Sequence, residues 1–129
     1  MLSKEQILAA EDLSTETIHV PEWGGDVVIK ELTGAQKDAF EQTTFTRNGK
    51  NYEVNLTDMR ARLCAISIVG EDGSRMFCDR EIKALGGKSA KALDRVFSAC
   101  QRLNGMTNDE IDEMSKNSLA AQNDDLLSD

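Results

Sequence analysis

Leu93, Val96, Phe97, Cys100 and Leu103 recur at steps of three and four residues, the spacing that gathers apolar side chains on one face of a helix. Ser89 precedes this run as an N-cap and Asn104-Gly105 follows it as a stop, so the pattern predicts a helix over 90–103. Met59, Leu63, Ile66 and Val69 make a second stripe, with Cys64 and Ile68 beside it. This predicts a central core helix. Thr57 caps it, Asp58 sits in a first turn where the helix dipole favours an acid, and Gly70 ends it. Weaker helical patterns cover 4–10 behind Ser3, 33–44 from Thr33, 80–85 behind Asp79 and 108–116 behind Thr107. Thr33 with Gln36, and Thr107 with Glu110, have the spacing of a capping box. The inner face of 33–44 is expected to be Ala35, Ala39, Phe40 and Thr43.

The period changes between 17 and 32. Thr17-Ile18-His19-Val20 is rich in β-branched residues and stops at Pro21, and Val27-Val28-Ile29-Lys30-Glu31-Leu32 is a second such run. Glu22-Trp23-Gly24-Gly25-Asp26 lies between them with turn chemistry, so the pair predicts an antiparallel β-hairpin. Residues 11–16 are expected as a loop, 47–51 as a loop tip around Asn48-Gly49, 52–54 as a short extended return, and 71–74 as a turn. Gly86-Gly87 halts the helix before Ser89. The expected fold class is α+β, a mostly α-helical single domain over residues 1–117 with one N-terminal antiparallel β-hairpin. A flexible acidic tail is expected over 118–129.

A chain of 129 residues supports one core, and with 5% aromatics that core is built from Leu, Ile, Val, Met and Ala. The formal charge of −8 argues against nucleic acid, whose phosphates need clustered Lys and Arg, and against an anionic membrane surface. That charge is uneven. Residues 107–129 carry seven acids and one base, a net −6, which leaves residues 1–106 near neutral at −2. Such a segment serves either as an interaction tail or simply as a solvated, solubilising end. No apolar run spans a bilayer, and the opening MLSKEQILAAED lacks the apolar stretch of a signal peptide, so export is not expected. Cys64, Cys78 and Cys100 are odd in number and widely spaced, which favours free thiols in a reducing compartment.

Catalytic chemistry has little to build on. His19, the one histidine, falls in the hairpin, away from any nucleophile that could use it as a base. The cysteines lack zinc spacing, and Glu71-Asp72-Gly73 fails as a calcium loop because Ile68 stands five before the glycine. Gly24-Gly25 and Gly86-Gly87 have no phosphate-loop pattern. The expectation is a non-enzymatic protein with no metal and no cofactor.

The order of these pieces is itself informative. An ILAAEDL opening precedes IHVPEWGGDVVIKELTGAQKDAFE, a hairpin with a Pro-Glu-Trp-Gly turn leading to a Leu-Thr-Gly helix start. RARLCAISIVGEDGSRMF follows, then DREIKALGGKSAKALDRVFSACQRLNGMTNDEIDEMSKN. Taken together, these stretches resemble the tail assembly chaperones of siphovirus-type, lambdoid bacteriophages. The resemblance implies a non-catalytic protein of the host bacterial cytoplasm, missing from the mature virion. It implies binding to the tape measure protein, which is thereby kept soluble, and recruitment of the major tail tube protein. The tube protein is recruited through a longer form made by programmed ribosomal frameshifting. Self-association is a further implication.

The resemblance assigns no binding residues. The residues themselves nominate Trp23 at the hairpin turn, Phe45 and Tyr52 beside the expected 47–51 loop, and Met76-Phe77. Local packing is the competing reading for each aromatic. A holdase needs accessible apolar surface framed by charge, and an extended helical partner suits a groove between amphipathic helices. Two alternatives stand beside the chaperone: a tail completion or connector protein retained in the virion, and an acidic DNA mimic.

Overall fold

The computed structural model describes residues 1–48, 51–54 and 58–106, with side chains described for 1–45 and 58–106. The hairpin forms as its β-branched runs predict. Strands β1 (Thr15–Val20) and β2 (Gly25–Lys30) pair antiparallel, from Thr15 opposite Lys30 to Val20 opposite Gly25. A 3-10 turn, Pro21–Trp23, joins them and ends on Gly24 at φ 71°, a left-handed conformation that an L side chain adopts only with strain. Alternation then sorts the faces. Ile18, Val20, Val27 and Ile29 turn towards the core, while Thr15, Thr17 and His19 face solvent. β1 starts two residues earlier than the sequence pattern suggested, inside the expected 11–16 loop, because the ladder extends the register and Glu31 N–H still donates to Ser14 O at 2.8 Å.

The sheet is larger than one hairpin. Ile68–Val69 forms β5, which pairs antiparallel with β2 and gives the order β1-β2-β5. The central helix α3 (Met59–Ser67) therefore ends at Ser67, short of the Val69 that the stripe had included. Two successive β-branched residues before a glycine are poor helix and good strand, and β2 offers them an open edge. The chain then folds back on itself. Gly70 N–H donates to Ser74 O at 2.9 Å, Asp72 Oδ1 receives Ser74 N–H at 3.1 Å, and Met76 N–H donates to Ile68 O at 3.1 Å.

A second ribbon pairs β3 (Phe45–Asn48) with β4 (Asn51–Val54): β4 contains the expected extended return over 52–54, Arg47, Asn48 and Asn51 of the expected loop tip are in strands, and residues 49–50 lie outside the described residues. The mixed α+β class holds, with a three-stranded antiparallel sheet and a separate two-stranded ribbon in place of a lone hairpin.

Five α-helices occur among the described residues. Helix α1 (Lys4–Ala9) and helix α2 (Gly34–Thr44) open with reciprocal capping boxes, Ser3 with Gln6 and Thr33 with Gln36. α2 buries Phe40 and Thr44, whereas Ala35, Ala39 and Thr43 of the expected inner face are exposed. α3 starts at Asp58, which takes the cap position at φ 54°; the expected cap Thr57 lies outside the described residues. A 3-10 turn, Asp79–Glu81, leads into α4 (Ile82–Gly86). Its cap is Cys78 and not Asp79, because Glu81 Oε1 reaches back to Cys78 N–H at 2.9 Å. Gly86 lets α4 approach α3 closely, since a Cβ there would meet Asp58 Oδ1 at 3.1 Å. The expected helix 108–116 and tail 118–129 lie outside the described residues.

Helix α5 (Ala90–Leu103) carries the strongest stripe and lies under the sheet. Leu93, Val96, Phe97 and Cys100 are buried with Leu63, Cys64 and Ala61 of α3 and Val20, Ile29 and Ile68 of the sheet. Burying such side chains stabilises the fold by about 1.5–3 kcal/mol each before entropy is counted. Three ion pairs rim this layer: Asp94 with Arg60, Arg95 with Glu22, and Arg102 with Glu16. No described helix is long and apolar enough to cross a membrane.

Candidate functional site

Trp23 and Phe77, far apart in sequence, become two walls of one groove. The hairpin turn places Trp23 at the end of the sheet, and Arg95 of α5 fastens that turn by donating from Nε to both oxygens of Glu22, at 2.8 and 3.1 Å. The guanidinium holds the Glu22 carboxyl below the usual carboxylate range. Trp23 packs half-buried on the core, as does Phe77, which precedes the 3-10 turn. Ala84 and Leu85 of α4 complete an apolar floor of about 250 Å³, and Glu81 and Lys88 stand at its rim. The Cys78 N–H that bonds Glu81 keeps its carboxyl depressed as well.

A second, larger hollow of about 390 Å³ opens between α2, α3 and α4. Ala39, Phe40 and Thr43 of α2 face Ile66 and Arg62 of α3 and Ile82 of α4. Arg62 donates from Nη2 to Thr44 Oγ1 at 3.2 Å, and its burial lowers the guanidinium's affinity for its proton. Arg75 reaches the same hollow, donating from Nη2 to Asp79 Oδ1 at 2.9 Å and from Nε to Ala65 O at 3.2 Å. Sequence periodicity did not show this hollow. Its one signal is the helical spacing of Ala39, Phe40 and Thr43, a pattern that reads equally as an inner packing face.

The five nominated residues are not one cluster. Trp23 and Phe77 share the smaller groove. Met76 is 53% exposed and does not line it. Phe45 opens β3, half-buried, opposite Val54. Tyr52 sits in β4 opposite Arg47, and its side chain lies outside the described residues. Other exposed apolar side chains were not nominated: Leu2, Ile7 and Leu8, the last two on α1, a helix with no buried residue.

Both hollows have apolar walls with charged or hydrogen-bonded rims, a chemistry suited to receiving apolar side chains of a partner. His19 Nδ1 lies 2.8 Å from Asp26 Oδ1 on the exposed face of the hairpin, and neither residue lines a hollow. Cys64 and Cys100 are buried and Cys78 is exposed. No group of three or more His, Cys, Asp or Glu able to hold a metal occurs among the described residues. Comparison with protein-family models, curated proteins and solved structures gives no match to this chain.

Proposed function

We propose that this chain is a non-catalytic tail assembly chaperone of a siphovirus-type bacteriophage. It binds the tape measure protein in the host bacterial cytoplasm, keeps it soluble, and helps bring the major tail tube protein to it. It leaves before the virion is complete. A longer frameshifted form carries the contact to the tube protein. The observation that carries this reading is the Trp23–Phe77 groove: an apolar trough, open to solvent, between a carboxylate and an ammonium. A helical partner with an apolar stripe places anchors in such a trough, while the flanking charges favour one orientation. The order of the motifs along the chain supports the same reading.

Co-expression with the tape measure protein encoded nearby tests it. Recovery of an otherwise insoluble tape measure protein in complex with the chain is the expected result, with Trp23→Ala reducing the yield of complex. If the tape measure protein stays insoluble with both the short and the longer frameshifted form, the proposal fails.

One observation favours a second reading, a connector protein retained in the particle. β1 stands at the edge of its sheet, and an edge strand is a template for pairing with another chain. Detection of the chain in purified virions would favour that reading over the chaperone.

A further inference from the structure

The outer edge of β1 carries an inference that does not depend on the chaperone reading. Glu31 N–H donates to Ser14 O, which fixes the parity of the β1–β2 ladder. In an antiparallel pair, every second residue exchanges both its backbone bonds with its opposite number. Ser14, Glu16, Ile18 and Val20 therefore bond towards β2, and Thr15, Thr17 and His19 direct their N–H and C=O groups away from the sheet. Among the described residues no strand pairs with that side of β1.

Natural edges are usually blunted by Lys, Pro, a bulge or a covering element. Thr15–Val20 has neither Lys nor Pro, its one acid, Glu16, shares the core-facing side with Ile18 and Val20, and its register with β2 runs without a bulge. Pro21 stands just past its end. Helix α1, which precedes it, buries no residue. The edge is also electrically quiet. Glu16 is paired with Arg102 at 3.5 Å and His19 with Asp26 at 2.8 Å. Of the chain's −8, residues 1–106, which hold this edge, carry −2.

We infer that β1 is a homodimer surface, on which a second copy of this chain adds its own β1 antiparallel across a two-fold axis through Thr17. A two-fold axis perpendicular to the sheet keeps the core face of both copies on one side, which requires opposed residues to share parity. Centring on Thr17 meets this condition and uses every outward group: Thr17 pairs with Thr17 of the second copy, and Thr15 with its His19 in both directions. Thr–Thr is a favourable cross-strand pair. The product is a continuous six-stranded sheet, ordered β5-β2-β1-β1-β2-β5, with no exposed edge at its centre.

Because residue 17 meets itself on the axis, charge at this position reads out the register. Sedimentation of the full chain over a concentration series is expected to show a monomer–dimer equilibrium. Thr17→Lys and Thr17→Glu, each at a solvent-facing site, are expected to remain folded by circular dichroism and to sediment as monomers. Mixed in equal amounts, the two are expected to restore a dimer containing one of each. A wild-type chain that stays monomeric throughout overturns the inference, as does a Thr17→Lys chain that still dimerises or a mixture that stays monomeric. A wild type that forms larger rings overturns the two-fold geometry. The tape measure co-expression is read separately, since a chain that fails to dimerise through β1 can still hold its partner in the Trp23–Phe77 groove.

Discussion

Asn104 Oδ1 accepts the backbone N–H of Leu32 at 2.8 Å, while Asn104 Nδ2 donates to Cys100 O at the same distance. One amide thus closes the last turn of α5 and satisfies a backbone donor where the chain leaves β2 for α2. A part-buried N–H left without a partner costs about 1–3 kcal/mol. Asn104→Ala is expected to lower stability by that amount in urea titrations. Asn104→Asp, which keeps the acceptor and loses the donor, is expected to fall between the two. Equal stability of Asn104→Ala and wild type would show that the bond contributes nothing net.

The groove has a built-in reporter, because Trp23 is the only tryptophan. Its half-buried ring lines the wall that a partner would cover. Binding of the tape measure protein is expected to shift Trp23 emission to shorter wavelength. Phe77→Ala, which removes the facing wall, is expected to shift the emission of the free protein to longer wavelength and to weaken binding. Arg95→Ala, which releases Glu22 and loosens the turn, is expected to broaden the emission. Unchanged emission on complex formation would place the contact elsewhere.

The three thiols should separate by reactivity. Burial pushes the Cys100 thiol up to about 11 and the Cys64 thiol further, while Cys78 is exposed. The thiolate is the reactive form, so an alkylating reagent at neutral pH is expected to modify Cys78 fast and the other two only after unfolding. Quantifying modified thiols by mass spectrometry checks this.

The same shift makes stability fall in alkali. An acid whose folded value is raised contributes stability that is complete below its unfolded value and is lost as pH rises towards the folded one. For Cys100 the window runs from its ordinary 9.0 to about 11, with a slope of about 1.4 kcal/mol per pH unit. Cys100→Ala is expected to flatten the pH dependence of the melting temperature in that window relative to wild type.

Burial separates two isoleucines that look alike in sequence. Ile29 is fully buried between the sheet and α5, whereas Ile7 is 57% exposed on α1. Ile29→Ala is expected to cost about 2–5 kcal/mol, and Ile7→Ala less than about 0.5 kcal/mol. Chemical denaturation of the two variants measures the difference. A large loss from Ile7→Ala would show that α1 is covered in solution.

Local chemistry accounts for much of the architecture. The capping boxes at Ser3–Gln6 and Thr33–Gln36, the hairpin with its Gly24 turn, and the α5 stripe all involve residues within a few positions of one another. Their geometry follows from hydrogen bonds and dihedral preferences that need no distant partner. The composition likewise pointed to a core of aliphatic residues, and among the described residues Phe40 and Phe97 are the aromatics buried within it.

The remainder required the folded chain. Ile68-Val69 reads equally as the end of a helix or as a strand, and only the open side of β2 decides for the strand. β3 and β4 have no strong period, so their pairing emerges from cross-strand contact and not from pattern. Trp23 and Phe77 are each ordinary half-buried aromatics until α4 brings a floor beneath both. The open edge of β1 is invisible along the chain, since an edge is defined by the strand that is not beside it. Spacing over three or four residues encodes which face of an element is apolar. Which faces meet depends on pairings across many tens of residues, as between Leu32 and Asn104, and those are set by burial and backbone satisfaction summed over the whole fold.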